Sequence, residues 1–163
     1  MFMLVICLVL LLIVLVLVIL SWRAMIKRLG PVELAASIMF GSLMLQQLSY
    51  MLDYNLNLKD LSAEPWEMVA LRMNQALLFP IMMTWCSTFT AVGVNWTNRV
   101  LIYLAGAASI SLVMFFFKSM GFVHYTGWKG IYNFVQFILF IPLNDLFLTF
   151  FRTYALGRSG GAK

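Results

Sequence analysis

With 163 residues, of which 63% are hydrophobic and 10% charged, the chain carries under half the charged fraction of an average soluble domain, about 25%. A mean hydropathy of +0.95 excludes a water-soluble globular domain. In lipid every backbone polar group must be satisfied inside a helix or a closed barrel, and the apolar runs here are too long and unbroken for barrel strands.

Residues 1–20 are apolar throughout, with nothing more polar than Cys7, and at about 1.5 Å per residue they match the hydrocarbon thickness of a bilayer. Arg23, Lys27 and Arg28 follow the run rather than precede it, which argues against a cleaved signal peptide and places the N-terminus outside and the basic cluster in the cytoplasm. The first span is expected over residues 2–22. Its faces are all Leu, Val and Ile, so it is expected to be peripheral and lipid-exposed.

Gly30-Pro31 turns the chain, with Pro at a first helical position and Glu33 suited to the positive end of a helix. A second span is expected over 32–52, with Gln46 and Gln47 near its outer end. Residues 53–64 form an acidic outer loop. The third span, 66–94, is the most polar: Arg72, Asn74 and Gln75 lie in its outer third, Pro80 interrupts it, and Thr84, Ser87, Thr88 and Thr90 follow. A kinked polar helix of this kind belongs inside a bundle, where neighbours repair the missing backbone bond.

After a short cytoplasmic turn around Trp96 and Arg99, the fourth span, 100–117, carries small residues at four-residue spacing. Ala105 with Ser109, and Ala107 with Ser111, would let helix backbones approach closely, and Ala105 and Ser109 are taken as the packing face. The second outer loop holds His124, the chain's single histidine, with Tyr125 and Trp128 as interfacial aromatics. One loop histidine offers no pair of axial ligands for haem, and Cys7 and Cys86, both within apolar segments, form neither a disulfide framework nor a zinc site. No cofactor or metal is expected.

The pieces Phe79-Pro80 and Tyr125-Thr126-Gly127-Trp128-Lys129, together with the long initial span, resemble a group of small multispan membrane proteins of spore-forming Firmicutes, over the last hundred residues in particular. That group tends to carry an acid in its fourth span, which this chain lacks. No activity is established for the group, so the resemblance implies a topology.

The fifth span, 131–155, holds the acid that hydropathy places within the membrane. Asp145 follows Pro142 and Asn144, and Arg152 lies two turns beyond. A carboxylate near the bilayer centre costs about 2.5 to 3.5 kcal/mol on the insertion scale, so it must be paired, protonated or facing water. Asp145, Asn144, Arg152 and Arg72 therefore form the candidate intramembrane polar site. A structural reading, with Asp145 paired to Arg152 or capping a helix end broken by Pro142, stands against an ion-carrying one.

Seven basic residues (Arg23, Lys27, Arg28, Arg99, Arg152, Arg158, Lys163) fall on the expected cytoplasmic side, against Lys59, Lys118 and Lys129 outside. The net charge of +5 then calls for anionic lipid rather than nucleic acid. The expected fold is all-α: a single polytopic bundle of five spans, N-terminus outside and C-terminus cytoplasmic, in a bacterial cytoplasmic membrane. Its partners are the bilayer and other membrane proteins or copies of itself. No catalytic motif is present, and an intramembrane enzyme would need several acids, His or Cys at one depth. Two function classes follow: a non-catalytic subunit or assembly partner of a larger membrane complex, and a small oligomeric transporter or channel using Asp145.

Overall fold

A computed structural model describes residue 16 and residues 19–61, 64–91, 93–155 and 157. Helix α1 (Ile19–Leu29) ends at Gly30, whose φ of +79° is open to a residue without a Cβ, and the next helix leaves at 115° to it. Pro31 starts α2 (Pro31–Tyr50), which a π-helical turn at Met51–Asn55 extends. A short strand β1 (Lys59–Leu61) precedes α3 (Pro65–Met73), a second π turn (Asn74–Leu78) and α4 (Phe79–Thr90). Then come α5 (Trp96–Ser119), β2 (Val123–Tyr125) and α6 (Gly130–Tyr154).

Both prolines expected to disturb helices are absorbed. The π turn directly before Pro80 widens the backbone where the ring would clash, and Asn74 donates to the Ala70 carbonyl at 2.8 Å within that region. Pro142 lies inside α6, which continues through it to Tyr154, so Asp145 caps no broken helix end.

Helices α5 and α6 are each long and apolar enough to cross a membrane, and α1 with residues 31–55, taken as one bent span, makes a third. The chain is that of a mainly helical membrane protein. Helix α4 packs against α2, α5 and α6, and its Thr84, Ser87, Thr88 and Thr90 are all buried. The expectation of an interior polar helix therefore agrees with the packing. Phe79, Met83, Ile110, Phe137 and Ile141 form the apolar centre between α4, α5 and α6. Gly41 lets α2 approach α4 at Pro80, 3.3 Å from where a Cβ would stand.

Ala105 and Ser109 are exposed, and Ser109 donates its hydroxyl to the Ala105 carbonyl of its own helix at 2.8 Å. The contact face of α5 lies one position on, at Gly106, Ala107 and Ile110, which corrects the expected packing face within the chain. A Cβ on Gly106 would collide with the Cys86 sulfur and stand 3.1 Å from Ile141 Cδ1. Small-residue spacing fits two stripes on this helix, and among the described residues the one opposite α4 and α6 makes the contacts.

The loops at one end are joined. β1 and β2 pair antiparallel, Lys59 opposite Tyr125 and Leu61 opposite Val123. The Leu58 carbonyl lies within hydrogen-bond distance of the Thr126, Gly127 and Trp128 N–H groups, at 3.2 to 3.3 Å. Helix α5 closes in a Schellman turn at that end: Phe122 N–H donates to Phe117 O, Gly121 N–H to Lys118 O, Gly121 has φ +84°, and the Phe117 and Phe122 rings lie 5.5 Å apart. Apart from this two-stranded ribbon the described elements are helical, as expected of an all-α chain. The expected lipid exposure of the first span concerns mainly residues outside those described. Met25 of α1 packs with Leu34 and Ile81, and the exposed Arg28 lies 5.3 Å over Phe89.

Candidate functional site: a split set of charges and a polar node

The four residues singled out in the sequence each have their own bonding partners and do not meet in one site. Arg72, in the last turn of α3, donates to Asp53 Oδ2 at 2.9 Å and to Gln75 Oε1 at 3.1 Å, near the sheet end. Arg152, in the last turn of α6, donates through Nε (2.9 Å) and Nη2 (2.7 Å) to Glu33 Oε2 in the first turn of α2. Glu33, expected only as a helix-dipole partner, is the buried anion that holds Arg152. This corrects the expected Asp145–Arg152 pair. The competition is settled by burial: a carboxylate 5% exposed leaves an uncompensated charge unless a cation reaches it, whereas Asp145 has other donors.

Those donors are hydroxyls. Thr90, at the end of α4, donates to Asp145 Oδ2 at 2.5 Å, and the Tyr103 phenol of α5 donates to the same oxygen. Asp145 thus ties three helices together and is half-buried. Asp145 Oδ1 has no bonding partner among the described residues. Beside this cluster, Arg99 Nη2 donates to the Thr90 carbonyl at 3.3 Å, while its buried Nε has no acceptor.

Asn144, fully buried, faces the other way. Its amide donates to Ser37 Oγ at 2.8 Å and to Ser87 Oγ at 3.1 Å. Ser37 lies 2.9 Å from Thr84 Oγ1, and Thr84 donates to the Pro80 carbonyl at 2.8 Å. The node links α2, α4 and α6. Its hydroxyls each have somewhere to donate, and Asn144 Oδ1 alone is unpartnered. Sequence reading found Asn144 but not Ser37, Tyr103 or Arg99. A lone Ser or Tyr in an apolar run gives no signal until the opposing helix is known.

Two cavities border these charges. One of about 450 Å³ opens onto Asp145, Arg99, Tyr103, Thr90 and Arg152. Another of about 530 Å³ lies at the opposite end, against Arg72, Tyr50 and Tyr54. Arg72 and Asp145 share neither, and Leu78 of the π turn and Phe79, Ile81 and Met83 of α4, all buried, lie between them.

At the sheet end Lys59 is buried, with its ammonium 4.7 Å from the Trp128 ring centre and 5.8 Å from that of Tyr125. Lys118 covers Tyr125 at 5.0 Å. Burial, opposed by the Asp53 carboxylate and reinforced by the Arg72 charge, brings Lys59 down to about 8, and burial pushes the Tyr125 phenol up against the Asn133 amide bond that lowers it. Asn133 is fixed from both sides, donating to Tyr125 and accepting from Trp128 Nε1, each at 2.7 Å. His124 is exposed. Among the described residues no cluster of His, Cys, Asp or Glu could hold a metal ion, and Cys86 is a free buried thiol. No protein family, curated protein or solved structure matches this chain.

Proposed function

We propose that the chain is a non-catalytic integral subunit or assembly partner of a larger complex in a bacterial cytoplasmic membrane, built from five spans with the sheet end outside. Alternation of the helices supports the span count: the loops joined by β1 and β2 leave from one end, and the Glu33–Arg152 pair closes the other. The segments 31–55 and 65–90 reach about 37 to 39 Å at 1.5 Å per residue, long enough to span. In 65–90 the low hydropathy comes largely from Asn74, Gln75, Thr84, Ser87, Thr88 and Thr90, all buried among the helices. Arg23, Lys27, Arg28, Arg99 and Arg152 gather at the end opposite Lys59, Lys118 and Lys129, the bias expected of a cytoplasmic face.

One observation carries the functional reading: Arg72, Arg152 and Asp145 each bond across helices, and among the described residues buried apolar side chains separate the cavity at Arg72 from the one at Asp145. Arg72 joins α3 to the turn after α2, Arg152 joins α6 to α2, and Asp145 joins α6 to α4 and α5. A transporter would bring a second ionisable station to the depth of Asp145 along a wet route. The transporter reading retains one supporting feature, the cavity that opens onto Asp145.

Mild-detergent extraction from native membranes, followed by native electrophoresis, should place the chain in a species containing specific other proteins. The purified chain in liposomes should pass no more protons or ions than empty liposomes. Migration as a homo-oligomer, with a flux abolished by Asp145→Asn in a protein that still folds, would instead establish the transporter.

A further inference from the structure

We infer that the cavity between α4, α5 and α6 binds a phosphoethanolamine group, with its ammonium on Asp145 and its phosphate on Arg99. Both charged side chains line one space of about 450 Å³, yet they make no ion pair with each other. The two ion pairs among the described residues consume Arg72, Asp53, Arg152 and Glu33, leaving this carboxylate and this guanidinium without a counter-ion. Each also has its free position. Thr90 and Tyr103 both donate to Asp145 Oδ2, which leaves Oδ1 to accept, and of the Arg99 fork only Nη2 is engaged, on the Thr90 carbonyl, which leaves Nη1 to donate.

A carboxylate and a guanidinium that line one cavity without pairing are complementary to a ligand with an ammonium and an anion a few bonds from each other. A simple cation or a simple phosphate would neutralise one and leave the other. Asp145 Oδ1 offers a hydrogen-bond acceptor, so a primary ammonium with N–H donors fits and a trimethylammonium, which has none, does not. The guanidinium fork matches phosphate oxygens. The exposed Trp96 and Leu146 at the mouth give the cavity an apolar rim beside its charged floor. Such a rim suits a phosphatidylethanolamine headgroup whose chains stay in the bilayer, and the same floor would hold free phosphoethanolamine.

The test uses the full chain, first in nanodiscs of phosphatidylethanolamine with phosphatidylglycerol or of phosphatidylcholine with phosphatidylglycerol, then in detergent with free phosphoethanolamine or phosphocholine. Thermal unfolding is the readout, and a rise of about 5 °C is expected at near-saturation with the ethanolamine compound. The rise should vanish in Arg99→Gln and in Asp145→Asn. Should Asp145→Asn fail to fold, Arg99→Gln decides alone. A rise only in ethanolamine nanodiscs identifies the lipid as the source, and a rise with the free compound identifies a soluble ligand. No rise with either, an equal rise with the choline compounds, or a rise that survives in Arg99→Gln overturns the inference.

Discussion

Lys59 illustrates how far one residue's surroundings can move its chemistry. A lysine in an outer loop reads as a solvated charge, but this one is 5% exposed beneath two aromatic rings, because β1 places it directly opposite Tyr125. Burial outweighs the attraction of the rings and of Asp53 and lowers Lys59 to about 8, against 10.5 when free. From pH 8 upward the folded chain releases this proton while the unfolded chain keeps it, so the unfolded state binds more protons and stability rises with pH. Tyr125 acts in the opposite sense above pH 10, where the unfolded chain ionises and the folded phenol does not. The thermal midpoint in detergent should therefore climb between pH 8 and 10, and Lys59→Met should flatten that climb. A wild-type midpoint that is level or falling across this window would show that the lysine is not held as described.

Among the elements, α5 separates what spacing can reveal from what it cannot. Its length, its apolar character and the presence of a small-residue face were legible. Which face was used was not, because Ala105/Ser109 and Gly106/Ala107/Ile110 are adjacent stripes, and the choice depends on where α4 and α6 lie. Replacing Gly106 by Leu should drive a side chain into Cys86 and Ile141, costing about 1 to 3 kcal/mol or more. Ser109→Leu, on the exposed side, should cost little. The fraction of monodisperse protein on gel filtration, with its melting temperature, checks the pair, and equal tolerance would return the packing face to Ala105 and Ser109. The same limit explains the rest of the site. Asp145 was visible as an acid in an apolar helix, but its partners Thr90 and Tyr103 lie 55 and 42 residues away, and Glu33 lies 119 from the arginine it holds. Local pattern carries no information about pairs at that distance. The β1–β2 pairing was missed for a related reason, since three-residue strands in two separate loops acquire meaning only from each other.

For the molecule as a whole, the two ends differ in kind. One is a hydrogen-bonded cap in which two loops, a Schellman turn and a caged lysine fasten α2, α3, α5 and α6 together. The other carries the basic cluster, the Glu33–Arg152 pair and the open cavity at Asp145. Between them lie apolar side chains and the Asn144 node, which joins α2, α4 and α6 without reaching either end. The open cavity and the Glu33–Arg152 pair thus share one end, the end at which a partner or headgroup would engage under the proposed topology. The proposed function and the ligand's depth both depend on the two ends lying on opposite sides of the membrane. Cysteine labelling tests this directly, in a background with Cys7 and Cys86 replaced by Ala. Lys59 is too buried to serve as a probe, so the positions are the exposed His124 in the β2 loop and the exposed Asn98 near the start of α5. A membrane-impermeant maleimide should label His124→Cys in intact cells and Asn98→Cys only after permeabilisation. Labelling of Asn98→Cys in intact cells, with His124→Cys protected until the membrane is opened, would contradict the account.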